Sequence, residues 1–172
     1  MAILPIITAP DPRLKAKSAR VARVDDEVRR LLDAMLETMY AAPGVGLSAI
    51  QVGVPKQIIV ADAAPDGEPR APVHLVNPRI VSASEELAVY NEGCLSLPEQ
   101  FAEIERPARI VVEHLDYAGA QRRLEADGLL ARCIQHELDH LDGVLFVDHI
   151  SAVRRNIILR RLAKARRQQA SA

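Results

Sequence analysis

Two histidines four positions apart, with a glutamate directly after the first, stand in His136-Glu137-Leu138-Asp139-His140. On an α-helix the i and i+4 side chains lie one above the other, so both imidazoles can reach one metal ion. Glu137 is not needed as a ligand, which leaves its carboxylate free to handle protons on a water held by that metal. The spacing points to hydrolysis. Histidines also decorate helices without binding anything, and so short a pattern arises by chance. The pairing of two residues so suited to metal ligation favours the functional reading.

A catalytic metal usually takes a third protein ligand and keeps one position open. The candidates are Cys94, Cys133, His74, His114, His149 and the acids. Cys133 shares the helix, but at about 1.5 Å rise per residue it lies about 10.5 Å from His140 along the axis. That is too far for a compact set with His136, and Cys133 reads as a buried thiol walling a pocket. Cys94 lies in Asn91-Glu92-Gly93-Cys94-Leu95-Ser96-Leu97-Pro98, an irregular segment leaving a strand at a glycine, where the backbone can aim a side chain unusually. Local sequence alone still reads Cys94 more readily as a small core hydrophobe. His74 and His149 lack partner spacing and His114 falls on one face of a strand, so all three read as structural.

These residues need elements to hold them. Asp25-Asp26-Glu27 opens a helix whose apolar stripe is Val28, Leu31, Leu32, Met35 and Met39, closed by Pro43-Gly44. Gln57 to Ala61 reads as a strand, as do Val73 to Val76, Ile80 to Ala83, Leu87 to Tyr90 and Arg109 to Leu115, with Tyr117-Ala118-Gly119-Ala120 turning into Gln121 to Glu125. Asp127 is the expected N-cap of the histidine helix, Gly143 lies past its end, and Leu130, Ile134, Leu138 and Leu141 form its apolar stripe. A last helix begins near Ser151, with Val153, Ile157, Ile158 and Leu162 on one side and many arginines on the other. The expectation is α+β: mixed or antiparallel strands packed around a central helix bearing the two histidines, with an N-terminal helix and a basic C-terminal helix.

The 172 residues suit one domain, 1–172, with about 151–172 as a helical extension. A formal net charge of -1 argues neither for nucleic acid nor for a membrane surface. No apolar run reaches the roughly 20 residues of a membrane span. The opening Met1 to Ile7 lacks a basic region and is cut by Pro5, which argues against a signal peptide. Two cysteines do not make a disulfide scaffold, so a reducing, cytoplasmic setting is expected.

Gly44-x-Gly46-x-x-Ala49 fits a loose dinucleotide fingerprint, but that fingerprint needs a strand before it and a helix after it. Here a helix precedes and a strand follows. What remains is a tight turn presenting Gln51, whose amide can donate into a pocket.

Gly44-Val45-Gly46-Leu47-Ser48-Ala49-Ile50-Gln51, Glu92-Gly93-Cys94-Leu95-Ser96 and Gln135-His136-Glu137-Leu138-Asp139-His140 resemble, in order and spacing, the three signature motifs of the peptide deformylases. The likeness runs from Pro-Asp-Pro-Arg-Leu near the start to the basic terminal helix. It implies an enzyme that removes the formyl group from N-terminal formyl-methionine of new peptides. It also implies Cys94 as third metal ligand beside His136 and His140, Glu137 as general base and then acid, and the Gln51 amide and Leu95 backbone N–H as donors to the formyl oxygen. By the same resemblance Val45, Gly46, Tyr90, Glu92, Gly93, Leu129 and Cys133 surround the substrate pocket, and Glu92 pairs with Arg106 to hold the cysteine loop. The implied cofactor is one Fe2+ per chain, with Ni2+, Co2+ or Zn2+ as substitutes.

Three positions depart from the family pattern. Ser48 replaces a usual alanine and adds a hydroxyl near the turn, Arg132 replaces an apolar residue near the pocket rim, and Phe101 stands where some relatives have arginine. The terminal helix carries Arg154, Arg155, Arg160, Arg161, Lys164, Arg166 and Arg167 with no acid after Asp148. It reads first as a solvated face; the resemblance adds contact with the ribosome as the alternative. A zinc peptidase is the nearest rival, yet His149 follows His140 by only nine positions, without the glycine spacing of the extended peptidase motif. A binding protein that has lost turnover is disfavoured by the presence of Gln51, Cys94, His136, Glu137 and His140 together.

Overall fold

The computed structural model describes residues 3–171. Helix α1, Asp26–Ala41, is capped by Asp25, whose carboxylate accepts the Val28 N–H at 3.0 Å. Strand β1, Gly46–Ser48, is followed by a 3-10 turn, Ala49–Val52, so the segment read as a turn is a short edge strand that delivers Gln51. β2 spans Ile58–Ala61, β3 Val73–Ala83, β4 Leu87–Cys94, β5 Leu97–Pro107, β6 Arg109–Leu115 and β7 Gln121–Asp127. Helix α2, Gly128–Leu141, carries the two histidines, and α3, Ala152–Ala170, ends the described chain.

Five strands form one antiparallel sheet in the order β1-β2-β3-β6-β7, and β4 and β5 form a separate antiparallel hairpin. The alternation of β2 shows how helices cover both faces of the sheet. Ile58 and Val60 pack with Val28, Leu32, Met35 and Met39 of α1, while Ile59 packs with Ala131, Ile134 and Leu141 of α2. Burying each such side chain fully is worth about 1.5–3 kcal/mol. α2 is thereby pressed against the sheet with its histidine face turned toward the β4–β5 hairpin, and Ala131 replaces Leu130 and Leu138 as the deeper part of its stripe.

The two expected strands at 73–76 and 80–83 are one, β3, broken in register rather than in course. Asn77, at φ 51, takes the extra residue of the irregularity. Its side chain pairs with Val21 by two hydrogen bonds of 2.8 Å, which offsets the strain of that backbone. Asp127 holds the N-cap position of α2 without a side-chain hydrogen bond. A third apolar cluster joins Leu97, Ala102 and Ile104 of β5 to Phe146 and to Ile158 and Leu162 of α3. The expected α3 stripe is only half used, because Val153 and Ile157 are exposed. Among the described residues, no helix is long and apolar enough to cross a membrane.

Candidate metal centre

Helical spacing brings the His136 and His140 rings together edge to face, with centroids 5.0 Å apart. The β4–β5 hairpin brings the third group. β4 continues through Asn91-Glu92-Gly93 to Cys94, and its pairing register with β5 breaks between Gly93 and Cys94. At that break the Cys94 Sγ lies 3.3 Å from His140 Nε2. One ligand atom from each of Cys94, His136 and His140 falls within 4.8 Å of the others, close enough for one ion to touch all three. The half-buried Cys94 is therefore a member of a metal-binding group, beyond the small core hydrophobe that local sequence favours.

Cys133 is kept out. Its thiol donates to the Val45 carbonyl at 3.4 Å, and burial together with the nearby Glu137 pushes its pKa well above the ordinary thiol value, so it stays neutral. His74 packs at a tilt against Tyr117, His114 meets the Leu115 carbonyl, and His149 pairs with Asp139, none of them part of the group.

A buried chain of charges orients His136. Its Nδ1 lies 3.0 Å from Glu92 Oε1, leaving Nε2 for the group. Arg106 grips both oxygens of Glu92, at 2.6 and 3.0 Å, and reaches Asp139 at 3.0 Å, which in turn meets His149 at 2.8 Å. Burial works to raise the Glu92 pKa, but His136 and Arg106 outweigh it and bring the carboxyl down to about 2. Sequence reasoning anticipates the Glu92–Arg106 pair and misses the bonds to His136 and Asp139. Their only signal is an acid inside the histidine motif, which says nothing of its distant partner.

Glu137 is buried, and that burial pushes its carboxyl up to about 7. Among the described residues its Oε2 has no hydrogen-bond partner, and neither has His140 Nδ1. Burial opposes charge on His136, yet Cys94, Glu92 and Glu137 outweigh it and hold this ring well above the ordinary imidazole value. Burial and the charge of His136 hold His140 well below it. One sulfur and two imidazole nitrogens in the group fit a divalent first-row transition metal.

The group opens on a cleft of about 730 Å3. Val45, Gly46, Glu92, Gly93 and Cys133 border it as expected, with Leu95, Phe101 and Arg132. Among the described residues its border does not include Tyr90 or Leu129. Tyr90 supports the Arg132 guanidinium, 4.7 Å from its ring centre, and Leu129 lies in the first turn of α2. Glycine at 46 leaves room for its neighbours, since a Cβ there would overlap the Cys133 sulfur and press on Glu137. Gln51 is buried with its Nε2 3.6 Å from Cys94 Sγ. Ser96, which accepts from that same Nε2 at 3.0 Å, stands in the cysteine motif, but sequence reasoning gives it no role.

Residues 3–156 match the family model described as Polypeptide deformylase. The chain is 53% identical to the peptide deformylase of Rhizobium meliloti (strain 1021), over 96% of this chain and 95% of that one. Among solved structures it is similar to the peptide deformylase of Ehrlichia chaffeensis, with a TM-score of 0.94 and 41% identity over 98% of this chain and 99% of that one. The same enzyme in complex with actinonin matches with a TM-score of 0.92 and 43% identity, over 96% and 98%.

Proposed function

The chain belongs to the polypeptide deformylase family, hydrolases that remove the N-formyl group from new peptides, and we propose how its own residues divide that work. Cys94, His136 and His140 hold one divalent metal. The observation that carries this reading is the convergence of their ligand atoms within 4.8 Å beside the buried, unpartnered Glu137 oxygen. Such a metal, when bound, supplies acidity to a water and positive charge to the formyl oxygen.

Glu137 takes the proton of the attacking water and returns it to the leaving amine as the formyl C–N bond breaks. Burial, which favours the protonated carboxyl, suits a group that must take up a proton during the reaction. The Gln51 amide and the Leu95 backbone N–H donate to the oxygen as it gains charge. Support comes from Gln51 Nε2, 3.6 Å from the cysteine sulfur, and from Leu95, which follows that cysteine and borders the cleft. Formate and a free amino terminus leave. Val45, Gly46, Gly93 and Cys133 wall the pocket for the methionine side chain, and Glu92 sets the orientation of His136 from its edge.

Fe2+ is the proposed metal, one per chain, with Ni2+, Co2+ or Zn2+ able to take the same donors. The affinity order of divalent metals favours Zn2+ over Fe2+ at such a site, so bound metal after purification does not identify the working one. Anaerobic reconstitution followed by metal analysis tests the ligand set. The expected result is one equivalent in the wild type and its loss in Cys94→Ser; undiminished binding in that variant overturns the assignment.

The 172 residues are proposed to act as one domain in a cytoplasmic setting, which the two free thiols support. Helix α3 is proposed to meet ribosomal RNA. Support for this is its exposed arginines and the family match that ends at 156, leaving most of α3 as an extension. Salt-sensitive ribosome binding that disappears when the exposed Arg160, Arg161 and Arg167 are changed to glutamate, with Ile158 and Leu162 kept in the core, is expected; unchanged binding refutes the contact.

A further inference from the structure

We propose that the Ser48 hydroxyl is a positioning group for the deformylation step, acting through Gln51 by fixing the torsion of the side-chain amide whose N–H faces the metal-binding group. The inference rests on Gln51 serving as a donor to the formyl oxygen.

An amide carries an acceptor oxygen at one end and two N–H donors at the other, and a rotation of half a turn exchanges them. Gln51 Oε1 faces Ser48 alone, receiving its backbone N–H at 2.9 Å and its hydroxyl at 3.0 Å. The opposite end, Nε2, donates to Ser96 Oγ at 3.0 Å and lies 3.6 Å from Cys94 Sγ. Gln51 and both serines are buried to within 1% of full enclosure, so water cannot substitute for either partner. With Oε1 tied twice and one N–H committed to Ser96, the second N–H is left pointing to the cysteine side, where the formyl oxygen must come. The backbone N–H of Ser48 resists the flip of the amide, and the hydroxyl adds a second restraint that sets its torsion.

The alternatives are that Ser48 only secures the start of the short turn Ala49–Val52, or that its hydroxyl acts through Glu137, whose carboxyl it also meets. The three roles separate kinetically, since action through Glu137 would add to the Gln51→Ala loss. Formate release from formyl-Met-Ala-Ser is measured on the metal-loaded full chain for Ser48→Ala, Ser48→Cys, Gln51→Ala and the Ser48→Ala/Gln51→Ala pair, together with thermal midpoints. Ser48→Ala is expected to lower kcat about fivefold, the equivalent of one neutral hydrogen bond, with KM within about twofold. Ser48→Cys fills the same space with a weak donor and is expected to lose as much. In the Gln51→Ala background Ser48→Ala is expected to slow nothing further.

A normal kcat in Ser48→Ala, with or without a lowered midpoint, overturns the proposal. Additive losses in the double variant do so too, as does full activity in Ser48→Cys, which would assign the effect to a void. Full activity in Gln51→Ala would instead remove the donor reading of Gln51, and the Ser48 proposal with it.

Discussion

Glu92 Oε1 sits 3.0 Å from His136 Nδ1 while Arg106 holds both oxygens of the same carboxylate. One acid thus fixes the ring that must present Nε2 to the metal, and is itself fixed by a buried cation. Glu92→Gln is expected to weaken metal affinity about 10- to 100-fold, the usual cost of losing such a support. It should also destabilise the fold, by less than the roughly 3–5 kcal/mol of a fully unpaired buried charge, because Arg106 keeps only the partly exposed Asp139 as its counter-charge. Metal titration and urea unfolding check both; unchanged affinity would make the Glu92–His136 bond incidental.

Glu137→Gln keeps the shape of the side chain and removes its ability to take a proton. Turnover should fall about 100- to 10,000-fold while metal stoichiometry stays at that of the wild type. Substantial activity at equal metal content contradicts the proton-transfer role.

Gly46→Ala places a methyl group where the Cys133 sulfur lies and presses on Glu137. Overpacking of this kind should cost about 1–3 kcal/mol in unfolding free energy and reduce formate release. Adding Cys133→Ala removes the obstructing sulfur and should restore much of both. No recovery in the pair would mean that the glycine is needed for a different reason.

Asp148 ties three segments together, accepting from Leu145 N–H at 2.9 Å, Lys15 Nζ at 2.9 Å and Arg155 Nε at 2.8 Å. Burial works against its charge, but these partners outweigh burial and bring its carboxyl down to about 2. A lowered folded-state pKa contributes stability that is fully present above the unfolded value near 3.8 and lost as pH falls toward 2. Asp148→Asn should therefore be less stable than the wild type at pH 6, by on the order of 1 kcal/mol after solvent screening of this partly exposed group. The gap should close between about pH 4 and 2. Urea unfolding across that range checks it; a gap constant with pH contradicts the charge assignment.

The histidine motif was legible because its geometry is local: four residues along one helix decide it. Cys94 was not, since its approach to His140 depends on a hairpin register break that no local spacing encodes, and only the likeness of three motifs pointed to it. Strand β5 escaped notice for a related reason. Its inward positions include Ala102, Ile104 and Arg106, and an arginine buried by Glu92 and Asp139 breaks the apolar alternation that marks a strand. The α3 stripe misled in the opposite direction, because Val153 and Ile157 lie at helical spacing with nothing packed over them. Ser48 was noticed as an added hydroxyl, but its bond to Gln51 became visible only with the 3-10 turn that folds one residue back on the other.

Hydrolysis of a formyl amide at the Cys-His-His metal group of this cleft is read out by formate released from formyl-Met-Ala-Ser by the chain loaded with Fe2+ under reducing conditions. Stoichiometric formate together with free Met-Ala-Ser is the predicted result. No formate at full metal occupancy, or cleavage of the Met-Ala bond instead, would contradict it.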